Sequence, residues 1–426
     1  LLTAEFVRFS RSAAAVKPPA SATQTNGTMP FRCSVGKLAI VEFNSIKPRN
    51  TIQDENPGLK YARITNEPGV TMNHRALIVG ASGIVGRALA ERLLSTGWTV
   101  YGLSRGRTAS VPGCQPVVAD LTSAESVAAA TQNIEASHVF FTAWARQATE
   151  KENIRVNGAM VRNVLDSLGR RTKLEHAALV TGLKHYLGPF EAYASGAVPD
   201  TPFRESQGRQ PVENFYYEQE DRLFEAAARD GFTWSVHRPH TVIGFARGNA
   251  MNMGQTLAVY ATLCRHTGQP FVFPGSAAQW NGLTDMTDAR LLARHLEWAS
   301  TTDAGRNEDF NVVNGDVFRW KTMWGQLADY FGIEAAPFDG IVRPLEGRMQ
   351  DAAHQWRDVA AKYDLAEPDI DRLASWWHTD ADLGRPMEVV TDMTKSRKAG
   401  FLDYQGTPDA FFDLFERLKA ERLIPE

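Results

Sequence analysis

Residues 75–86 read RALIVGASGIVG, and no other stretch restricts the fold of this chain so strongly. Ala76–Val79 is a run of four apolar residues, suited to a strand buried on both faces of a parallel sheet. Gly80, Gly83 and Gly86 follow at three-residue spacing, and Val85–Thr96 continues with helical periodicity. Strand, glycine turn and helix predict the start of a βαβ unit that binds a dinucleotide. Gly80 permits the tight turn, Gly83 the approach of backbone to a pyrophosphate, and Gly86 close packing of helix on strand. Ser82 and Ile84, in the same turn, are cofactor candidates with them. The helix start offers N–H groups and a positive dipole end to the phosphates. A glycine triplet alone also suits a turn that binds nothing; here the flanks on both sides favour the cofactor.

From Arg75 to about Arg238, short apolar strands alternate with helices. Strands are expected at Thr99–Leu103, Pro116–Ala119, His138–Thr142, Ala177–Thr181 and Thr233–Val236, with helices at Asn153–Leu168 and Tyr216–Arg229. Repeated βα units predict an α/β fold with a doubly wound parallel sheet, an extended Rossmann fold. Beyond Arg238 the pattern loosens. Helices are expected at Gln255–His266, Asp288–Ala299 and Lys321–Phe331, a strand at Phe310–Val313, and further helical segments at Met387–Phe401 and Ala410–Arg422. The division is then residues 72–245 as nucleotide-binding domain and 246–426 as a smaller, mostly helical substrate-binding cap, with segments returning to the core. Trp298, Trp320, Trp324 and Trp356 are expected as packing anchors.

Residues 1–71 differ. The opening is rich in Ala, Ser, Thr and Pro and has no sustained period, so disorder is expected. Arg8, Arg11 and Lys17 beside Glu5 faintly suggest a transit peptide, and Lys37–Phe43 a short strand. Met72 is the expected functional start.

Composition narrows the partners. A net charge of −3 gives no reason to expect nucleic acid, and no apolar run approaches a membrane span. Cys33, Cys114 and Cys264 form neither a disulfide framework nor a metal motif, which suits a reducing cytoplasm. No HExxH or His/Cys cluster is present, so no metal is expected.

An acidic residue after the second strand would bind a ribose 2′-hydroxyl. This chain has Ser104 there, followed by Arg105 and Arg107. A hydroxyl and guanidinium groups suit a 2′-phosphate, so NADPH/NADP is expected over NAD. Asp120 and Leu121 are placed to face the adenine, although Asp120 equally suits a helix cap.

The segments TGLKHYLGPF (181–190) and NFYYEQED (214–221) lie at carboxyl ends of strands, where a nicotinamide would arrive. With GASGIVG (80–86), VFFTAWA (139–145), WSVHRPHTVIGF (234–245) and FNVVNGDVFRWKTMW (310–324), they carry a resemblance. From Arg75 to the C-terminus the chain resembles the progesterone 5β-reductase/iridoid synthase-like branch of the short-chain dehydrogenase/reductase superfamily. That resemblance implies an extended Rossmann fold, NADPH, and reduction of carbon–carbon double bonds conjugated to a carbonyl. It departs from the superfamily's YxxxK pair: Glu220 stands where the lysine would be. In this branch the lysine comes from the TGxKHY segment, which is Lys184 here, and the tyrosine is Tyr216.

The chemistry is consistent with that assignment. Reduction at the β-carbon of an enone puts charge on the carbonyl oxygen, which needs a donor aimed at it. A phenol supplies the hydrogen bond, and a nearby ammonium lowers its pKa. Lys184, Tyr216, Thr142, Thr181 and Val242 are expected to border the cofactor, with Thr241 near the last. Trp144 and Tyr217 are expected at the substrate, with core packing the alternative for each. His237 and His240 are expected as structural, and Asn214 and Glu220 as local anchors. The partner is a small-molecule enone; the oligomeric state is open, a homodimer included. Two rival readings are a carbonyl reductase or epimerase/dehydratase on the same scaffold, and an NADP(H) sensor without turnover.

Overall fold

The computed structural model describes residues 74–106, 111–169, 171–189, 199–249 and 251–426. The readings made on residues 1–71, and on Arg107, lie outside the described residues.

Seven parallel strands form one sheet: β1 Arg75–Val79, β2 Thr99–Ser104, β3 Gln115–Val118, β4 His138–Phe141, β5 His176–Val180, β6 Thr233–Pro239 and, later in the chain, β9 Glu308–Val312. Their order is β3-β2-β1-β4-β5-β6-β9. The order reverses between β1 and β4, so a cleft opens there beyond the carboxyl ends. β1, a central strand, shows why Ala76–Val79 is apolar without a break. Ala76 and Ile78 enter the core on one face, and Leu77 and Val79 the core on the other.

Helices α1 Ile84–Ser95, α2 Ala124–Thr131, α3 Glu150–Gly169, α4 Lys184–Leu187 and α5 Phe215–Asp230 belong to the first part of the chain. α2, α3 and α5 cover one face of the sheet through Val127, Val161, Leu165 and Leu223. α1 covers the other through Leu89 and Leu93. α5 is bounded as its sequence suggests: Asn214 caps its start and Gly231, at φ 80°, ends it.

The chain then leaves and re-enters the sheet layer. β7 Val242–Ile243 pairs with β8 Thr287–Asp288, and between them lie α6 Met253–Thr267 and α7 Ala277–Asn281. α8 Ala289–Thr301 packs beside α1, adding Leu292 and Leu296 to the same face. After β9 come α9 Trp320–Phe331, α10 Leu345–Arg348, α11 Ala352–Tyr363 and α12 Trp376–Leu383, then α13 Thr394–Lys398 and α14 Thr407–Ala420. A separate apolar core joins α6, α9, α11 and α14. On α9, Trp320, Met323, Trp324, Leu327 and Phe331 make a single buried stripe. Trp324 lies flat on Phe271, ring centroids 3.9 Å apart, and its indole N–H donates to the Phe271 carbonyl at 2.9 Å. Trp356 is fully buried in this core, whereas Trp298 packs against the sheet-side core.

One expected helix is largely extended. Within 387–401 only α13 is helical, and Val389 and Thr391 instead bridge Thr284 and Phe203. Val389, Val390 and Thr391 are consecutive β-branched residues, which favour extended backbone. α11 and α12 were not anticipated. Among the described residues no helix is long and apolar enough to cross a membrane.

Candidate active site

The turn after β1 is made from backbone. Gly80 has φ 92°, where a side chain is strained. A Cβ on Gly86 would lie 2.2 Å from the Gly80 carbonyl oxygen, so helix and turn touch without an intervening side chain. Gly83 donates to the Gly80 carbonyl at 2.9 Å and starts α1. Asn214, Asn252 and Asp288 cap α5, α6 and α8 with side-chain oxygens, but α1 has no side-chain cap and no acid in its first turn. Its leading N–H groups and dipole end therefore face the cleft uncompensated, as an anion site requires. Ser82 is half-buried in the turn; Ile84 is buried and packs with Ala246 and Ala289. The Asn249 amide lies 4.0 Å from where a Gly83 Cβ would be, a neighbour with no local sequence signal.

At the adjacent edge, Ser104 closes β2 and Arg105 is exposed beside it. Asp120 is exposed, and its carboxylate accepts from the Thr122 N–H at 2.9 Å and hydroxyl at 2.7 Å. Those bonds, with Arg105 adding to them, hold it below the usual carboxylate value. Leu121 is half-buried, and its carbonyl accepts from Asn163.

The segment after β4 is anchored from two sides. Thr142 donates its hydroxyl to the Val79 carbonyl at 2.9 Å, tying β4 to β1. Asn157 on α3 holds Ala145 through both its amide atoms, at 2.8 and 2.9 Å. Asn153 accepts from the Gln147 N–H at 2.7 Å. Trp144 therefore stands on a fixed loop, 38% exposed, stacked on Phe215 at 5.5 Å.

Lys184 and Tyr216 come from segments 32 residues apart in sequence, and both flank Phe215. The Lys184 Nζ is 5.2 Å from the Phe215 ring centre and 5.5 Å from that of Trp144. The Tyr216 ring lies 4.4 Å from Phe215. The phenol oxygen is 3.3 Å from where a Gly182 Cβ would be, and the Pro239 carbonyl 3.2 Å from that same point. The phenol thus reaches the carboxyl edge of β5 and β6, and the ammonium lies over the neighbouring Phe215 and Trp144 rings. Both residues are half-buried.

The remaining candidates are placed as follows. Thr181 is buried and bonds back to the His237 carbonyl at 2.8 Å. Val242 is half-buried in β7. Tyr217 points into the protein: it is 8% exposed, and its hydroxyl donates to the His185 carbonyl at 2.6 Å and accepts from the Gln210 N–H at 2.9 Å. His240 is buried between Asp285, at 2.9 Å, and Arg385, at 2.6 Å. His237 is buried within a polar row. His176 meets Ser235 at 2.9 Å, Ser235 meets His237 at 2.9 Å, His237 meets His295 at 3.0 Å, and His295 meets Ser396 at 3.0 Å.

Sequence reasoning missed the contribution of α12. Its His378 lies near Lys184 and Arg146, and Arg146 stacks on Trp377 at 4.0 Å. Burial lowers the His378 pKa, and Arg385, Arg146 and Lys184 push it the same way against Asp382. Among the described residues, His74, His138 and Glu175 could approach a metal, their ligand atoms lying within 4.8 Å. They sit at the opposite, amino end of the sheet. Both ring nitrogens of His138 are already engaged, by Ser137 at 2.9 Å and the Ser300 carbonyl at 3.3 Å.

Comparison with known proteins agrees with this architecture. Residues 119–425 match the model of the PRISE-like Rossmann-fold domain. The (S)-8-oxocitronellyl enol synthase CYC2 of Camptotheca acuminata is 37% identical over 363 residues, 82% of this chain and 93% of that protein. The 3-oxo-Δ(4,5)-steroid 5-beta-reductase of Arabidopsis thaliana is 36% identical over 376 residues, 84% and 95% of the two chains. Among solved structures, the Bordetella bronchiseptica enzyme WbmG, in complex with NAD and UDP, superposes with a TM-score of 0.58 at 16% identity, covering 82% of this chain and 97% of that one. The UDP-glucose 4-epimerase of Thermotoga maritima gives 0.56 at 14% identity, covering 81% and 99%. At these identities the structures share the fold.

Proposed function

Because this chain belongs to the PRISE-like Rossmann-fold family, we propose that it is an NADPH-dependent reductase of carbon–carbon double bonds conjugated to a carbonyl. The observation that carries the reading is the convergence of Tyr216 and Lys184 on Phe215 at the carboxyl edge of the sheet. A sensor would need the phosphate turn and nothing of that pair. The similarity to an enol synthase and to a steroid reductase supports an enone as substrate.

The residues present fit the dinucleotide. Gly80, Gly83, Gly86 and the uncapped start of α1 would hold its pyrophosphate, and Ser104 and Arg105 a 2′-phosphate. Thr142 and Val242 would border the nicotinamide end. When bound, the reduced nicotinamide supplies the hydride that the β-carbon takes up. Tyr216 donates a hydrogen bond to the substrate carbonyl oxygen, where charge develops as the β-carbon is reduced. Lys184 keeps a positive charge beside that phenol, which strengthens its donation. Trp144 and Trp377 exclude water from the oxygen and hold the flat enone, and the fully buried Phe215 backs the Trp144 ring from behind.

The test is incubation with NADPH and 2-cyclohexen-1-one, with products identified and NADH run in parallel. Cyclohexanone, formed faster with NADPH, is the expected product. Allylic alcohol would make the protein a carbonyl reductase, and absence of turnover on enones of graded size would overturn the reading.

A further inference from the structure

Glu220 stands four residues after Tyr216, where the common YxxxK spacing puts a cation. It is not an idle replacement. The carboxylate is 2% exposed and faces three basic side chains: Arg209 at 2.9 Å, Arg238 at 3.4 Å and His185 at 3.5 Å. Arg238 comes from β6 and is itself buried. A lysine at 220 would point at that guanidinium. The site is therefore inverted in charge along α5, and the ammonium is supplied from α4 instead.

His185 is the residue next to Lys184. Two other side chains of the α5 start grip the same turn. The Asn214 amide donates to the Lys184 carbonyl at 2.7 Å, and the Tyr217 hydroxyl to the His185 carbonyl at 2.6 Å. Asn214 also accepts from the Tyr216 N–H at 3.0 Å, so one side chain touches both reacting segments. Asn214, Tyr217 and Glu220 recur every three residues and so share one side of α5. α4 has only four residues and no side-chain cap; its own bonds, such as Leu187 N–H to the Leu183 carbonyl at 3.0 Å and Gly188 N–H to the Lys184 carbonyl at 2.9 Å, close a single turn, too short to be stable alone.

We propose that Glu220 is a positioning residue for Lys184. Its carboxylate stands 3.5 Å from the buried His185 Nδ1, which has no hydrogen-bond partner, and so steers that ring by charge, while Asn214 and Tyr217 bond the two carbonyls; together they set the ammonium against Phe215. This rests on the reading of Lys184 and Tyr216 as the pair that stabilises the enolate.

Glu220→Gln keeps the shape and removes the charge. With NADPH and 2-cyclohexen-1-one, kcat should fall by about tenfold while both KM values stay within about twofold. Amide hydrogen exchange should rise about tenfold in residues 183–188 and not in β1 or β4. Glu220→Asp should restore part of kcat. His185→Asn breaks the contact from the turn side and leaves both arginines paired. It should lower kcat similarly, and the double variant should fall no further than either single one. If Glu220→Gln does not fold, His185→Asn decides. Wild-type kcat and wild-type exchange in a folded variant would overturn the proposal. If the wild-type protein reduces no enone, the functional reading fails, and the exchange experiment alone decides whether Glu220 orders the turn.

Discussion

The glycine turn and the lysine turn face the same cleft and are built by opposite means. At Gly80–Gly86 the chain removes side chains so that backbone touches backbone; a Gly86 Cβ would lie 2.2 Å from the Gly80 oxygen. At Lys184–Leu187 the backbone closes only a single turn, and side chains from the start of α5 add a second hold on its carbonyls. The first turn is specified within twelve residues. The second needs partners about thirty residues away. Local geometry can make an anion site, whereas bringing together two unlike reactive groups takes tertiary contacts.

Acid should separate the two ends most. β5 and β6, which lead to the lysine turn, are joined by buried imidazoles, and the glycine turn contains no titratable group. Burial lowers His176 and His295 to about 3 and His237 well below the ordinary imidazole value. The unfolded chain therefore binds protons near pH 6.5 that the folded protein refuses. Stability is full above that pH and is lost as pH falls through 6.5 towards 3, by up to about 1.4 kcal/mol per pH unit for each imidazole. The urea midpoint should drop markedly between pH 7.5 and pH 5. An unchanged midpoint would show that the imidazole row is not held neutral.

Gly86→Ala attacks the other end. The new methyl meets backbone that cannot give way, at a cost of about 3 kcal/mol. NADPH affinity, followed by cofactor fluorescence, should fall a hundredfold or more. Retained affinity would mean that the turn tolerates a side chain, and the contrast with the lysine turn would weaken. Tyr216→Phe removes one phenol oxygen and leaves both turns intact. It should cut kcat by about 10²-fold, some 2.7 kcal/mol, with NADPH affinity unchanged. Equal turnover in the two proteins would detach Tyr216 from the chemistry.

The same contrast explains what the sequence made legible. β1, the glycine turn and α1 follow from a local pattern of apolar residues and glycines. α5 follows from Asn214, its periodicity and Gly231. The stripe on α9 was readable, and the burial of Trp320 and Trp324 agrees with their expected role. The grip of Asn153 and Asn157 on the loop that carries Trp144 was not, because an asparagine inside a helix looks the same whether it faces water or a distant carbonyl. Tyr217, expected at the substrate with core packing as the alternative, takes the alternative: it turns inward, and two adjacent tyrosines differ in sequence only in which side of α5 they occupy. The helix expected over 387–401 runs through three consecutive β-branched residues, Val389–Thr391, whose extended backbone is then fixed by pairing with Thr284 and Phe203 on other segments.

The position of β9 has one more consequence. The strand at Glu308–Val312 completes the sheet beside β6, yet it lies between α6 and α9, which both belong to the separate apolar core. The chain shuttles between the two layers rather than finishing one before starting the other. A transplanted second layer would have several seams to match, each passing through a hydrogen-bonded strand or a packed helix. Exchanging individual side chains therefore disturbs such a chain less than grafting a module.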